Sequence, residues 1–381
     1  MFLGRDGRRL AARLAVLGLA SSWGCTHPDE VAPGAGQGEG STGEAPAPTG
    51  PASSGSSTTA DSDAATTQDD PTAGDDSGAG STGEPGLPPP YPIVLAHGFF
   101  GFEDFAGVGF IDYFWEVPQY LDEHGESMVF VTTVDPFNDS TTRGEQLLAQ
   151  VEAIVDETGY AKVNIIGHSQ GGLDARYVAH HRPDLVDAVA TVATPHRGTP
   201  IADIVLGLVP DPGAQTVVDW LVQTLGAPLW PDIDSNTSLA ASMEQLSEPG
   251  MDAFNAEITD QPSVTYYSIA GRSGGSDGGI TCRSVDNPPP FIAQWADETD
   301  PIDPLFAPTE EILSGGLLSS IANDGLVVAN DAKWGNFLGC VPADHIDQIG
   351  HLFGDRPGLL NDWDYKEFYA DLVGYLRQQG H

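Results

Sequence analysis

The sequence predicts an α/β domain built on a mostly parallel central sheet with helices on both faces. Three observations predict it. The stretch VNIIGHSQGGLDARYV, 163–178, passes from a β-branched apolar run through a glycine-flanked serine into a helix-like pattern. A second apolar run, Ile93 to Ala96, breaks into His97-Gly98. Of the 381 residues in the chain, about 290 follow residue 90, enough for one large domain of this class.

Residues 1–25 read as an export signal. Arg5, Arg8, Arg9 and Arg13 make a basic start, and Leu14 to Ala20 make an apolar core too short to span a bilayer. Cys25 closes this segment after a small residue. That resembles a bacterial lipoprotein signal, although Ser22 and Trp23 depart from its usual residues. The expectation is export, with Cys25 lipidated at the bacterial surface or outer membrane. The alternative is an ordinary secretory signal with an incidental cysteine.

Residues 26–90 are rich in Gly, Ser, Thr, Pro, Ala and Asp and contain no Lys or Arg; the string GSTGE occurs twice. Such a composition cannot bury a core and reads as a disordered tether. The remainder, 91–381, carries 43 Asp and Glu against 11 Lys and Arg. That excess argues against nucleic acid and anionic lipid headgroups as electrostatic partners and favours cations. Two cysteines remain there, Cys282 and Cys340. An exported domain with two cysteines most simply joins them in one disulfide.

Taken in order, the first element is the strand at Ile93 to Ala96. It runs into a glycine-containing loop whose Phe99 amide is one expected oxyanion donor. The second is the strand at Val163 to Ile166, ending in Gly167-His168-Ser169-Gln170-Gly171, a G-x-S-x-G match. Small residues suit a sharp strand-to-helix turn that exposes a strained serine, so Ser169 is the expected nucleophile and the Gln170 amide the second donor. Leu173, Ala175, Tyr177, Val178 and Ala179 then suit a helix packed closely on a sheet. His180 and His181 ride away on that helix, and His196 ends another apolar run where a loop-anchoring role fits. His345, in CVPADHIDQIGH, is the expected base, with His351 the alternative. The acid should fall between serine and base. Asp324 stands out in IANDGLVVAN as a tight turn entering an apolar run, a context that a plain turn Asp shares.

Several strings together resemble one family, the bacterial triacylglycerol lipases of the Pseudomonas/Burkholderia type, with the α/β-hydrolase fold. They are YPIVLAHGFFG, TRGEQLLAQV, KVNIIGHSQGGLDARYV, ATPHRGTPIAD, YYSIAGRS, NDGLV and DHIDQIGHLFG, in the family's order. The resemblance implies nucleophile Ser169, acid Asp324, base His345, and oxyanion donors Phe99 and Gln170. It implies a monomer acting on acylglycerols at an interface; esterase, phospholipase or polyester hydrolase activity shares the fold, and a non-catalytic surface lipoprotein binding apolar ligands is the other class. It also implies a structural calcium held by the carboxylates of Asp303 and Asp347 and the backbone carbonyls of His351 and Asp355. Asp300, also before a proline, rivals Asp303. A lipase-specific folding chaperone belongs to the same resemblance. Asn330 stands where the family has a cysteine, so a Cys282–Cys340 bond would pin the histidine loop by another route. Residues 200–262 match weakly. Val217, Val218, Leu221, Val222 and Leu225 there form an apolar helical stripe, read as a helical lid or else as a core helix.

Overall fold

The computed structural model describes residues 86–99, 113–208, 239–274, 279–315, 321–350, 354–358 and 361–381. Cys25, His351 and the apolar stripe of the expected lid lie outside the described residues.

Among the described residues, six strands form one all-parallel sheet: β1 (Ile93–Ala96), β2 (Val129–Thr132), β3 (Val163–His168), β4 (Val186–Val192), β5 (Thr265–Gly271) and β6 (Asn336–Val341). Their spatial order is β2-β1-β3-β4-β5-β6. A parallel sheet needs crossovers that cover both faces, so its central strands are apolar at successive positions. β1 and β3 follow this rule, with every residue buried.

The helices divide between the faces. Ile93, Leu95, Ile166, Ala188 and Ala190 join a core with α1 (Val117–Glu123) and the helix Tyr365–Gln379. The alternate residues Val94, Val163, Ile165 and Val189 join a second core with α2 (Ser140–Thr158) and α3 (Gly171–His181). The α2 helix starts at Asp139, whose carboxylate accepts from the Thr141 and Thr142 amides, and stops at Gly159 with φ 72°. The remaining described helices are α4 (Pro200–Val205), α5 (Leu239–Leu246), α6 (Glu248–Glu257), α7 (Gly279–Arg283), α8 (Pro290–Ala293), α9 (Ala307–Leu313) and α10 (Tyr365–Gln379).

Strand order reverses between β1 and β3. The chain leaves β1 outward to β2 and then returns to the far side of β1 to begin β3. In open parallel sheets the crevice at such a switch point, beyond the carboxyl ends of the strands, is where ligands bind. His97 follows β1 directly and Ser169 follows β3, so both segments singled out in the sequence flank this crevice.

Cys282 of α7 and Cys340 of β6 are joined by a disulfide, with their Cα atoms 5.3 Å apart. The bond ties a peripheral helix to the strand that feeds the His345 segment.

Candidate active site

Ser169 has φ 54°, in the left-handed region that a side chain rarely adopts. Three hydrogen bonds hold it there. Its N–H donates to Val192 O at 2.9 Å, and its own carbonyl accepts from Gly172 N at 3.0 Å and Thr194 Oγ1 at 2.8 Å. The flanking glycines are required by close approach. A Cβ on Gly167 would run into the Gly171 and Gly172 backbone, and one on Gly171 into the Ala96 and His97 carbonyls.

The loop after β1 presses on the serine. A methyl at Gly98 would stand 2.6 Å from the Ser169 Cβ. His97 shapes this loop: its Nε2 accepts from the Val134 amide at 3.0 Å, which leaves Nδ1 to donate to Gly98 O at 2.8 Å. Phe99 follows, its ring edge-on to Phe137 at 5.5 Å. The Gln170 side chain is held by Asn138 O at 2.8 Å and Ser242 Oγ at 3.3 Å, which fixes the backbone beside it at the N-terminus of α3.

His345 and Asp324 come together. His345 Nδ1 lies 2.9 Å from Asp324 Oδ2, with both side chains buried. The Asp324 Oδ1 accepts from the Leu326 and Val327 amides at 3.1 and 2.8 Å, so the tight turn seen in the sequence is what aims the carboxylate. The His345 ring sits 4.7 Å, centroid to centroid, from the ring of His168, the residue before Ser169. The other described histidines that follow Ser169 are engaged elsewhere. His180 and His181 bond to Thr259 O and Tyr177 O, and His381 to Asp187 Oδ2. His196 is buried against Thr191 Oγ1 at 3.0 Å; burial and then the Arg176 and Arg197 charges hold its pKa well below the usual value, so it stays neutral.

Three supporting residues had no assigned role in the sequence reading. Tyr113 donates or accepts at His168 Nδ1 over 2.7 Å, and burial pushes its phenol pKa up, keeping it protonated. Arg143, fully buried, bonds Asp174 Oδ2 through Nε at 2.9 Å, Asp135 O at 2.6 Å and His97 O at 2.7 Å. It therefore ties α2 to the loop after β1, the end of β2 and the helix behind the serine. Gln348 donates to Asp324 Oδ2 at 3.1 Å. The string TRGEQ signalled Arg143 only as sequence; no local pattern signalled the partners of Tyr113 or Gln348.

Beyond His345 lies a group of carboxylates. Asp300, Asp344 and Asp347 present oxygens within 4.8 Å of one another, all buried. Asp347 was expected there. Asp303 is not in this group, whereas Asp300, its rival in the sequence, is: Asp303 Oδ1 accepts from the Leu305 amide at 2.6 Å, and its own N–H donates to Asp344 Oδ2 at 3.0 Å. Asp344 was not foreseen. It accepts from Ile346 and Asp347 amides and so closes the loop carrying His345. Asp355 is half-buried, and its carboxylate accepts from the Arg356 amide.

This group fits a hard divalent cation. Asp300 Oδ2 is buried with no hydrogen-bond partner among the described residues. Burial first, then the Asp344 charge, pushes the Asp300 pKa up to about 7. Burial and neighbouring carboxylates raise Asp344 and Asp347 as well. Buried like charges of this kind require protons or an oxygen-seeking cation such as calcium.

The family described as alpha/beta hydrolase fold matches residues 91–271. A triacylglycerol lipase of Vibrio cholerae is 36% identical over 303 residues, spanning 76% of this chain and 88% of that one. A triacylglycerol lipase of Pseudomonas fragi is 32% identical over 314 residues, spanning 76% and 97%. A solved metagenomic carboxyl esterase shares the fold, with TM-score 0.52, 20% identity and 76% of each chain covered. With a strained serine at the switch point and relatives of this identity along most of its length, the chain belongs to the bacterial triacylglycerol lipases of the Pseudomonas and Burkholderia type, ester hydrolases of α/β-hydrolase fold.

Proposed function

We propose that the protein hydrolyses acylglycerols through Ser169, His345 and Asp324. The observation that carries this reading is the 2.9 Å contact between two buried side chains, His345 and Asp324, beside the strand end that bears Ser169. Because Nδ1 faces Asp324, Nε2 is the atom left to take the Ser169 proton as Oγ attacks the ester carbonyl. The Asp324 carboxylate steadies the imidazolium that forms. The Phe99 and Gln170 amides receive the developing oxyanion, each donor worth about 3 kcal/mol in systems of this kind. His345 returns its proton to the leaving alcohol. It then deprotonates the water that frees the acyl group from Ser169.

Asp300, Asp344 and Asp347 would hold a calcium ion, which when bound supplies the positive charge that braces their loop. His345 lies one residue from Asp344 and two from Asp347 in sequence, so the ligands position the base without touching the substrate.

The test uses p-nitrophenyl esters of graded chain length and an emulsified triglyceride, with wild type and Ser169→Ala. Loss of all turnover in the alanine variant is expected. Survival of activity would remove the serine mechanism, and turnover of short soluble esters alone would replace acylglycerols with small esters as substrate. Export with lipidation at Cys25, a lid within the region 200–262, a monomeric state and chaperone-assisted folding complete the proposal. Mass spectrometry of the mature N-terminus decides the lipid: an unmodified terminus cut elsewhere would exclude it.

A further inference from the structure

Asp324 accepts four hydrogen bonds, two on each carboxylate oxygen. Oδ1 takes the Leu326 and Val327 amides of its own turn. Oδ2 takes His345 Nδ1 and, at 3.1 Å, Gln348 Nε2. Without Gln348, the oxygen facing the base would be held by the base alone. Gln348 is fully buried. Its amide nitrogen has two hydrogens and meets two acceptors, Asp324 Oδ2 and Ala343 O at 3.3 Å. Neither acceptor can donate in return, so the orientation of the amide is fixed with nitrogen toward the acid. Its Oε1 has no partner among the described residues, a cost that an orientation serving packing alone would not explain. The surroundings leave room for this amide. Gly271, at the end of β5, has no Cβ, and one built there would collide with Gln348 Nε2.

We propose that Gln348 is a positioning residue of the reaction, its amide locking the Asp324 carboxylate in the orientation that aims His345. The inference rests on the assignment of Ser169, His345 and Asp324 proposed above. With the Oδ2 side pinned from two directions, the carboxylate resists rotation about its Cβ–Cγ bond, and the imidazole it orients keeps one pose as its charge changes.

A double-mutant cycle on the full chain in calcium tests this. Gln348→Met keeps length and volume but removes the donor; Asp324→Asn removes the anion on which the donor acts. Turnover of a p-nitrophenyl ester is expressed per serine titrated with a phosphonate ester, so that misfolded protein does not count. Gln348→Met should lower kcat about tenfold with KM unchanged, the scale of one charge-assisted hydrogen bond. In the Asp324→Asn background the same change should alter kcat less than about twofold, because residues acting through one another do not add. Gly271→Ala, which leaves Gln348 in place but crowds both its amide and the Asp324 Cβ, should lower kcat in the same direction. An equal fold-loss in both backgrounds would assign Gln348 a purely structural role and overturn the proposal. So would unchanged kcat in both Gln348→Met and Gly271→Ala. If Asp324→Asn by itself leaves kcat intact, it is the acid assignment that fails.

Discussion

Replacing Arg143 by Met should unfasten the loop after β1 and destabilise the domain together. The guanidinium and the Asp174 carboxylate lie 2.8 Å apart with side-chain exposures of 0% and 1%. Methionine fills much of the arginine volume but leaves Asp174 buried without its cation. Breaking such a pair from one side costs about 3–5 kcal/mol. The carbonyls of Asp135 and His97 also lose their donor, so the upper part of that range applies. A domain of this length is stable by about 5–15 kcal/mol, and each kcal/mol moves Tm by about 2–4 °C, which puts the loss near 10–20 °C. Lys at this position should not restore it, since one ammonium cannot span three acceptors set for a guanidinium. In wild type, burial raises the Asp174 pKa against the opposing pull of Arg143. With Arg143 gone both of its lowering contributions go, and burial and the Asp139 charge are opposed only by the weaker Ser140 hydrogen bond. The folded variant then holds a proton that the unfolded chain gives up, so its stability deficit is smallest at low pH and grows as pH rises. Calorimetry from pH 5 to pH 8 reads both effects. A Tm drop below about 2 °C, or a deficit that shrinks with rising pH, would refute the reasoning. Arg143→Met with Asp174→Leu should regain part of the loss, because no buried charge then remains.

The carboxylate group predicts that chelation lowers Tm and activity together and that calcium restores both in wild type but not in Asp347→Ala; unchanged Tm after prolonged chelation would refute it. Asp300 is pushed up to about 7 in the fold, so in chelator its contribution to stability is full below about pH 4 and is lost as pH rises toward 7, while saturating calcium flattens that dependence. Reducing the Cys282–Cys340 bond, whose partners are 58 residues apart, should cost about 4 kcal/mol through unfolded-chain entropy, seen as a lower urea midpoint than in the oxidised protein.

What could be read from the sequence follows the reach of each interaction. The elbow was legible because its signature is local: Gly167 makes room against the Gly171 and Gly172 backbone, even though Gly171 clears the distant Ala96 and His97 carbonyls. Asp324 was half legible. Its turn is local, but its partner His345 lies 21 residues on, and only the family resemblance joined them. Asp300 and Asp303 both precede a proline, and the choice between them depends on which carboxylate is brought up to Asp344 and Asp347, more than 40 residues on, which no local signal marks. Arg143, Tyr113 and Gln348 were not read because their partners are set by strand order, and that order reverses where no sequence signal marks it. The disulfide followed from counting cysteines in an exported chain, a chemical argument that needs no geometry.

The helix α10 has a consequence for how the enzyme comes into being. Its Tyr369, Leu372, Val373 and Leu376 pack in one core with Ile93 and Leu95 of β1, the first strand made. The residues that meet around Ser169 are likewise spread from His97 to His345. A nascent chain therefore carries the proposed nucleophile from residue 169 to residue 345 with no base beside it, and until α10 is made one sheet face lacks part of its cover. Ester hydrolysis can begin only when the far end of the domain has emerged and closed over the near end. A cell making this protein is shielded from it until translation of the domain is complete, and an early stop anywhere before residue 365 should yield an inert, sticky fragment instead of a weak enzyme.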